Sequence, residues 1–289
     1  METTKFLRSN ILYIIWFLVY FILAWLLLGF TLLGLAIVTV VYGISISVAL
    51  SPVGEKLLRL LENCREPLTE EEKSYLLPLF EEAYENAKEV NPKLNDGIKV
   101  YIMDAMYVNA FAIGRQTIAV TRGVMTTFTA DELTGILAHE LGHMNYGHTK
   151  ALLLTVIGNM FFSFVVWIFK FILGMLQTVS NIVSLFSFVA IFFSLIIFIA
   201  RWMVYISEFI FVNLGQILLA LNSRTNEIEA DTFAYEMGYG KELIASMYIL
   251  QKISLNAEVR LIDRIKSTHP HIAQRIANLE RLEDEETEE

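Results

Sequence analysis

The chain is poor in charge. Asp, Glu, Lys and Arg make up 18% of its 289 residues, against 55% hydrophobic. Soluble domains carry about 25% charged residues. The deficit points to a membrane protein and excludes a disordered chain, which needs the opposite balance. Cysteine is nearly absent: Cys64 stands alone, which excludes an intrachain disulfide framework. Cationic surplus is lacking too. The formal net charge is −9, so no nucleic-acid partner is expected. Histidine is scarce but concentrated, at His139, His143, His148, His269 and His271.

No charged residue occurs from Ile11 to Leu50. As one helix that run would measure about 60 Å, twice the hydrocarbon core of a bilayer. It divides better into two spans, roughly 9–29 and 33–51, with a turn near Gly29, Phe30 and Thr31. A cleaved signal peptide would have an apolar region of only about 7–15 residues and a small-residue cleavage site, which FILAWLLLGF does not offer. Two further apolar runs, roughly 152–175 and 182–200, are joined by the uncharged QTVSNI and read as a second hairpin. Lys170 interrupts the first of these and reads as a snorkelling interfacial lysine rather than a functional intramembrane charge.

Each hairpin returns the chain to the side it left. The N-terminus, residues 52–150 and residues 201–289 then share one side. Lys5, Arg8, Lys56, Arg59, Lys150 and Arg201 flank the spans there, and the far turns carry no Lys or Arg. The positive-inside rule makes that side the cytoplasm, a reducing compartment that suits a lone cysteine. The expected organisation is a membrane hairpin at 1–52, a cytoplasmic segment at 53–151, a second hairpin at 152–200 and a cytoplasmic segment with an acidic tail at 201–289.

Residues 68–91 have an amphipathic helical pattern, with Pro78 expected to break or kink it. IKVYIM (98–103) alternates as a strand does, and VNAFAIGRQTIAVTRG reads as a hairpin about Gly114, Arg115 and Gln116. Thr129-Ala-Asp-Glu132 has the capping-box pattern and opens a helix over 130–150.

On that helix lies His139-Glu140-Leu141-Gly142-His143. Histidines four apart share one helix face, so both imidazoles can reach one zinc ion at about 2 Å. Glu140 is then placed to act as general base toward water on the metal. Two surface histidines on a polar face are the plain alternative, which the helical setting of the motif disfavours. A catalytic zinc needs a third protein ligand and an open position. SRTNEIEAD (223–231) lies in a helix-compatible run after the last span, with Glu227 and Asp231 one turn apart. Spacing alone does not choose among Glu227, Glu229 and Asp231. His148 lies nine positions after His139, about 180° around a continuing helix. It reads, like His271, as a structural or interfacial histidine.

Together these motifs resemble the HtpX-type integral-membrane zinc metalloproteases, distant relatives of the CAAX prenyl endoproteases. The resemblance rests on the early hairpin, NAFAIG (109–114), HELGH (139–143), the spans that follow, SRTNEIEAD (223–231) and THPHIAQRI (268–276). It implies a mostly α fold with a small β-sheet: a four-span membrane protein with a cytoplasmic zincin-like metalloprotease domain built from two segments. It implies one Zn2+ per chain, held by His139, His143 and Glu227. Glu140 and His269 would be catalytic, the latter sharing the oxyanion's charge. Asp231, paired with Arg275, would support the ligands from behind. Asn109, Ala110, Phe111 and Ala112 would line the substrate by strand pairing. The chain departs from the pattern in a shorter loop between the third and fourth spans and in a His269-Pro270-His271 turn where relatives have an HPP-like one.

The implied function is an endopeptidase of a bacterial inner or plasma membrane. It would act in quality control and stress response, cutting cytoplasmic parts of misfolded or damaged membrane proteins. The bilayer and polypeptides are the expected partners, and oligomeric state is left open. The competing readings are an endoprotease for a lipidated C-terminus and a non-proteolytic zinc sensor or structural protein. A channel would need polar residues along several spans, and apart from Lys170 and Asn159 these spans are nearly all apolar.

Overall fold

The computed structural model describes residues 11–255 and 272–288. The chain opens with a helical hairpin, α1 (Ile11–Leu27) and α2 (Leu32–Ala49). The Thr31 hydroxyl caps α2 by accepting from Gly34 N, and Trp25 Nε1 donates to Thr31 O at 2.9 Å. α3 (Pro52–Leu61) and the short strand β1 (Cys64–Arg65) lead to α4 (Glu70–Val90). α4 starts at a Thr69/Glu72 capping box and runs through Pro78. The proline does not end it, because Leu76, Phe80, Ala83 and Ala87 bury one continuous stripe in the core. That packing outweighs one lost backbone hydrogen bond.

Strands β2 (Lys99–Met103), β3 (Ala110–Ile113) and β4 (Thr117–Thr121) complete a sheet of order β1-β2-β4-β3. β2 pairs parallel with β4, while β3 closes the expected antiparallel hairpin and forms one edge. β4 is buried along its whole length. The short helix α5 (Arg122–Thr127) leads into α6 (Ala130–Tyr146), α7 (His148–Ser184), α8 (Phe188–Glu236), α9 (Gly240–Leu255) and α10 (Ile272–Glu288). The main core is filled from α4, the sheet, α6, the end of α8, α9 and α10. The chain is thus mostly helical with one small sheet, as its sequence implies.

Among the described residues, three helical stretches are long and apolar enough to cross a membrane: Leu32–Ala49, Val166–Ser184 and Phe188–Ile206. A shorter apolar stretch, Phe17–Leu26, lies in α1. The two later stretches are only 11% and 6% buried within the protein, so the protein's own core does not cover their apolar surface.

The second hairpin turns at 185–187 instead of the expected 176–181. Gln177 and Asn181 remain inside α7, where Gln177 donates to Asn181 Oδ1 and across the hairpin to Ser194 Oγ. The Gln177 amide nitrogen and the Asn181 carbonyl oxygen thus find partners within the hairpin, and the helix continues through them. Lys170 forms an ion pair with Glu208 of α8 and lies 4.6 Å from the Tyr205 ring centroid. Glu208 is a partner that the snorkelling reading did not provide.

Candidate active site

The capping box at Thr129 is formed in full, with Glu132 N donating to the threonine hydroxyl and Thr129 N to the glutamate. It starts α6, which carries the HExxH motif. Gly142 lets this helix approach α8: a Cβ there would fall 2.8 Å from Ala230 O and 2.9 Å from Ala230 Cα. That close crossing sets His139 and His143 against Glu227 and Asp231.

The result is a triangle of donors. His139 Nε2 and His143 Nε2 are 3.1 Å apart. Glu227 Oε2 lies 3.5 Å from the first and Glu227 Oε1 3.3 Å from the second. Ligands at about 2 Å from a tetrahedral ion stand about 3.3 Å from one another, so the three donors fit a zinc-sized cation. Among the described residues they form a group of three, with no fourth His, Cys, Asp or Glu joining them. A site with three protein donors leaves a position for water.

The electrostatics point the same way. His139 Nδ1 donates to Asp231 Oδ1 at 2.9 Å. A neutral His139 therefore turns a lone pair toward the Glu227 carboxylate, an arrangement that favours a proton or cation between them. Burial and the Arg275 charge oppose protonation of His139, yet Asp231 and Glu227 outweigh them and raise its pKa to about 9. Burial pushes Asp231 up, but Arg275 and His139 hold it below the ordinary carboxylate range. Arg275 grips Asp231 in a fork, Nε at 2.7 Å and Nη2 at 2.5 Å, and reaches Glu227 Oε2 with Nη1 at 2.9 Å. Burial opposes its charge, and the Asp231 and Glu227 carboxylates restore it. Glu140 is buried beside this group, and its charge also acts on Arg275.

His148 does not lie where a continuous helix would put it. Gly147 takes φ +74° and ends α6, its N–H bonding back to His143 O and Met144 O. The restarted helix brings His148 Nδ1 to 3.1 Å from His143 Nδ1, while His148 Nε2 meets Glu229 Oε2 at 3.0 Å. Burial lowers the pKa of His148, and Glu229 offsets this only in part. Sequence reasoning named both residues but did not place them behind His143. The signal was Gly147, placed where a left-handed glycine ends a helix.

β3 packs against α6. Thr121 N donates to Asn109 O at 3.0 Å. By the alternation of an antiparallel ladder, Ala110 and Ala112 turn their backbone groups to the open edge. The Asn109 side chain is exposed, and Phe111 is half-buried beside Ile113 and Leu153. His269 and His271 lie outside the described residues.

Residues 74–283 match Peptidase family M48. The chain belongs to peptidase family M48. It is a membrane metalloendopeptidase of the HtpX type, which works with a metal cofactor on polypeptide substrates. Protease HtpX homolog of Methylacidiphilum infernorum is 26% identical over 265 residues, 84% of this chain and 83% of that one. Protease HtpX of Aeromonas hydrophila is 29% identical over 213 residues, 63% of this chain and 67% of that one. The crystal structure of S. mikatae Ste24p shares the fold, with a TM-score of 0.52 at 20% identity over 91% of this chain. This chain covers 61% of the length of Ste24p.

Proposed function

We propose that this M48 peptidase is a zinc endopeptidase that cuts cytoplasmic parts of membrane proteins, chiefly misfolded or damaged ones. His139, His143 and Glu227 hold one zinc ion. The observation that carries this reading is the donor triangle, with mutual separations of 3.1, 3.3 and 3.5 Å. When bound there, zinc supplies a Lewis acid that activates water near neutral pH and polarises a carbonyl.

Glu140 takes a proton from the attacking water and passes it to the leaving amine. Asp231 keeps the His139 proton on Nδ1, so that Nε2 faces forward. Arg275 offsets the charge of two buried carboxylates that would otherwise repel each other. His269, by resemblance, shares the negative charge of the tetrahedral intermediate. The open edge at Ala110 and Ala112 pairs with an extended substrate segment, flanked by Asn109 and Phe111. Such pairing reads backbone shape more than side-chain identity, which suits a protease with many damaged substrates.

Both hairpins cross the membrane, giving four spans. Segments 53–151 and 201–289 meet on the cytoplasmic face of a bacterial inner membrane, a placement supported by the flanking Lys and Arg residues and by the HtpX relatives. A fourth protein ligand would argue for a structural zinc. His148 is not that ligand, because it addresses the rear nitrogen of His143.

The test compares wild type with Glu140→Gln in detergent, with casein as substrate, chelator treatment and zinc add-back. The expected result is cleavage by wild type alone, restored by zinc, with equal zinc content in both proteins. Equal zinc content with no cleavage by either protein would contradict the reading.

A further inference from the structure

We propose that His148 and Glu229 form a one-way hydrogen-bond relay that holds His143 in the tautomer able to bind a cation. The inference rests on His143 serving as a metal ligand through Nε2, as proposed above.

The logic is that of proton counting. A neutral imidazole carries one ring proton. If His143 Nε2 offers its lone pair to the cation, the proton sits on Nδ1. At 3.1 Å the atom facing it is His148 Nδ1, which must then accept. The His148 proton is consequently on Nε2, where Glu229 Oε2 accepts it at 3.0 Å. Each donor meets one acceptor, and the chain ends on a group that only accepts when ionised. The reverse polarity would put a proton on His143 Nε2, in the middle of the donor triangle. A carboxylate at the end of the relay therefore selects the direction, and with it the metal-binding form of His143.

Local structure holds the relay in register. The left-handed Gly147 lets His148 fold back, its ring centroid 5.3 Å from that of His143 at an interplanar angle of 71°. Tyr146 stacks on the His148 ring at 5.7 Å and meets Phe233 edge-on at 6.1 Å, which fixes the ring plane. The His148 side chain is 4% exposed, so its polar atoms have these partners in place of bulk water. Glu229 comes from the same helix as Glu227. The two acids approach His143 from opposite sides, one at Nε2 and one through His148 at Nδ1.

A buried histidine that merely packs well would matter to folding alone. A positioning residue matters to the metal. The test uses the full chain in detergent and measures zinc affinity by competition with a chromophoric chelator, with the visible spectrum of the cobalt-substituted protein as a second readout. His148→Leu is expected to weaken zinc about 10–100-fold and to shift the cobalt bands. His148→Asn retains an acceptor at the Nδ1 position toward His143 but no donor where Nε2 meets Glu229, and is expected to recover part of the loss. Glu229→Ala alters a partly exposed side chain and serves as the variant least harmful to folding. It is expected to weaken zinc in the same direction. Wild-type affinity in both His148→Leu and Glu229→Ala would overturn the relay and leave the metal site standing. If His148→Leu does not fold, wild-type affinity in Glu229→Ala alone overturns it. A wild-type chain that binds no zinc would overturn the metal site and the relay with it.

Discussion

The two histidines of the HExxH motif are backed in different ways. Behind His139 stands Asp231, whose side chain is 1% exposed and is gripped by the buried Arg275. Behind His143 stands a second imidazole, and only beyond it a carboxylate, Glu229, that is 38% exposed. The first support is a charged network sealed inside the core. The second is a neutral ring whose charge lies at the edge of solvent. Both turn Nε2 toward the Glu227 carboxylate, but they should fail differently. Loss of a member of the sealed network strands a buried charge. Loss of a member of the outer relay frees a ring to rotate or change tautomer.

The largest effect should come from breaking both supports at once. Gly142→Val places methyl groups where Ala230 backbone lies under 3 Å from any Cβ. It should separate α6 from α8, abolish zinc binding and activity together, and lower the thermal unfolding temperature. Next, Arg275→Met leaves Asp231 and Glu227 buried without their counter-charge. Such a loss typically costs about 3–5 kcal/mol. The metal-free protein should be destabilised most, and zinc should restore much of the difference in a thermal melt, because a cation replaces the missing charge. Asp231→Asn should be milder, since the amide oxygen still accepts from His139 Nδ1. A loss of about 10-fold in zinc affinity is expected, with the fold retained. The smallest effect should be Glu229→Gln, whose oxygen remains available to His148. If Glu229→Gln proved more harmful than Arg275→Met, the contrast between a sealed and an outer support would be wrong.

The sequence disclosed the parts that obey local rules. The capping box at Thr129, the hairpin about Gly114 and the paired histidines each depend on residues a few positions apart. Tertiary packing decided the rest. Pro78 stays in a helix because its neighbours are buried. Lys170 meets Glu208, 38 residues away, through the crossing of α7 and α8. Three acids within one turn and a half of α8 could not be sorted by spacing. The crossing at Gly142 and Ala230 turns Glu227 to the donor triangle, Asp231 to His139 and Glu229 to His148. The place of His148 was hidden for a similar reason: helical periodicity assumes no break, and a single left-handed glycine supplied one.

The central claim is that two imidazoles and the Glu227 carboxylate hold a single zinc ion. X-ray absorption at the zinc edge of the loaded protein tests it most directly, with Glu227→Ala measured beside wild type. The account predicts two imidazole nitrogens and light oxygen donors at about 2.0–2.2 Å, no sulfur, and zinc lost from Glu227→Ala. A shell of three imidazoles, or full zinc occupancy in Glu227→Ala with an unchanged spectrum, would contradict it.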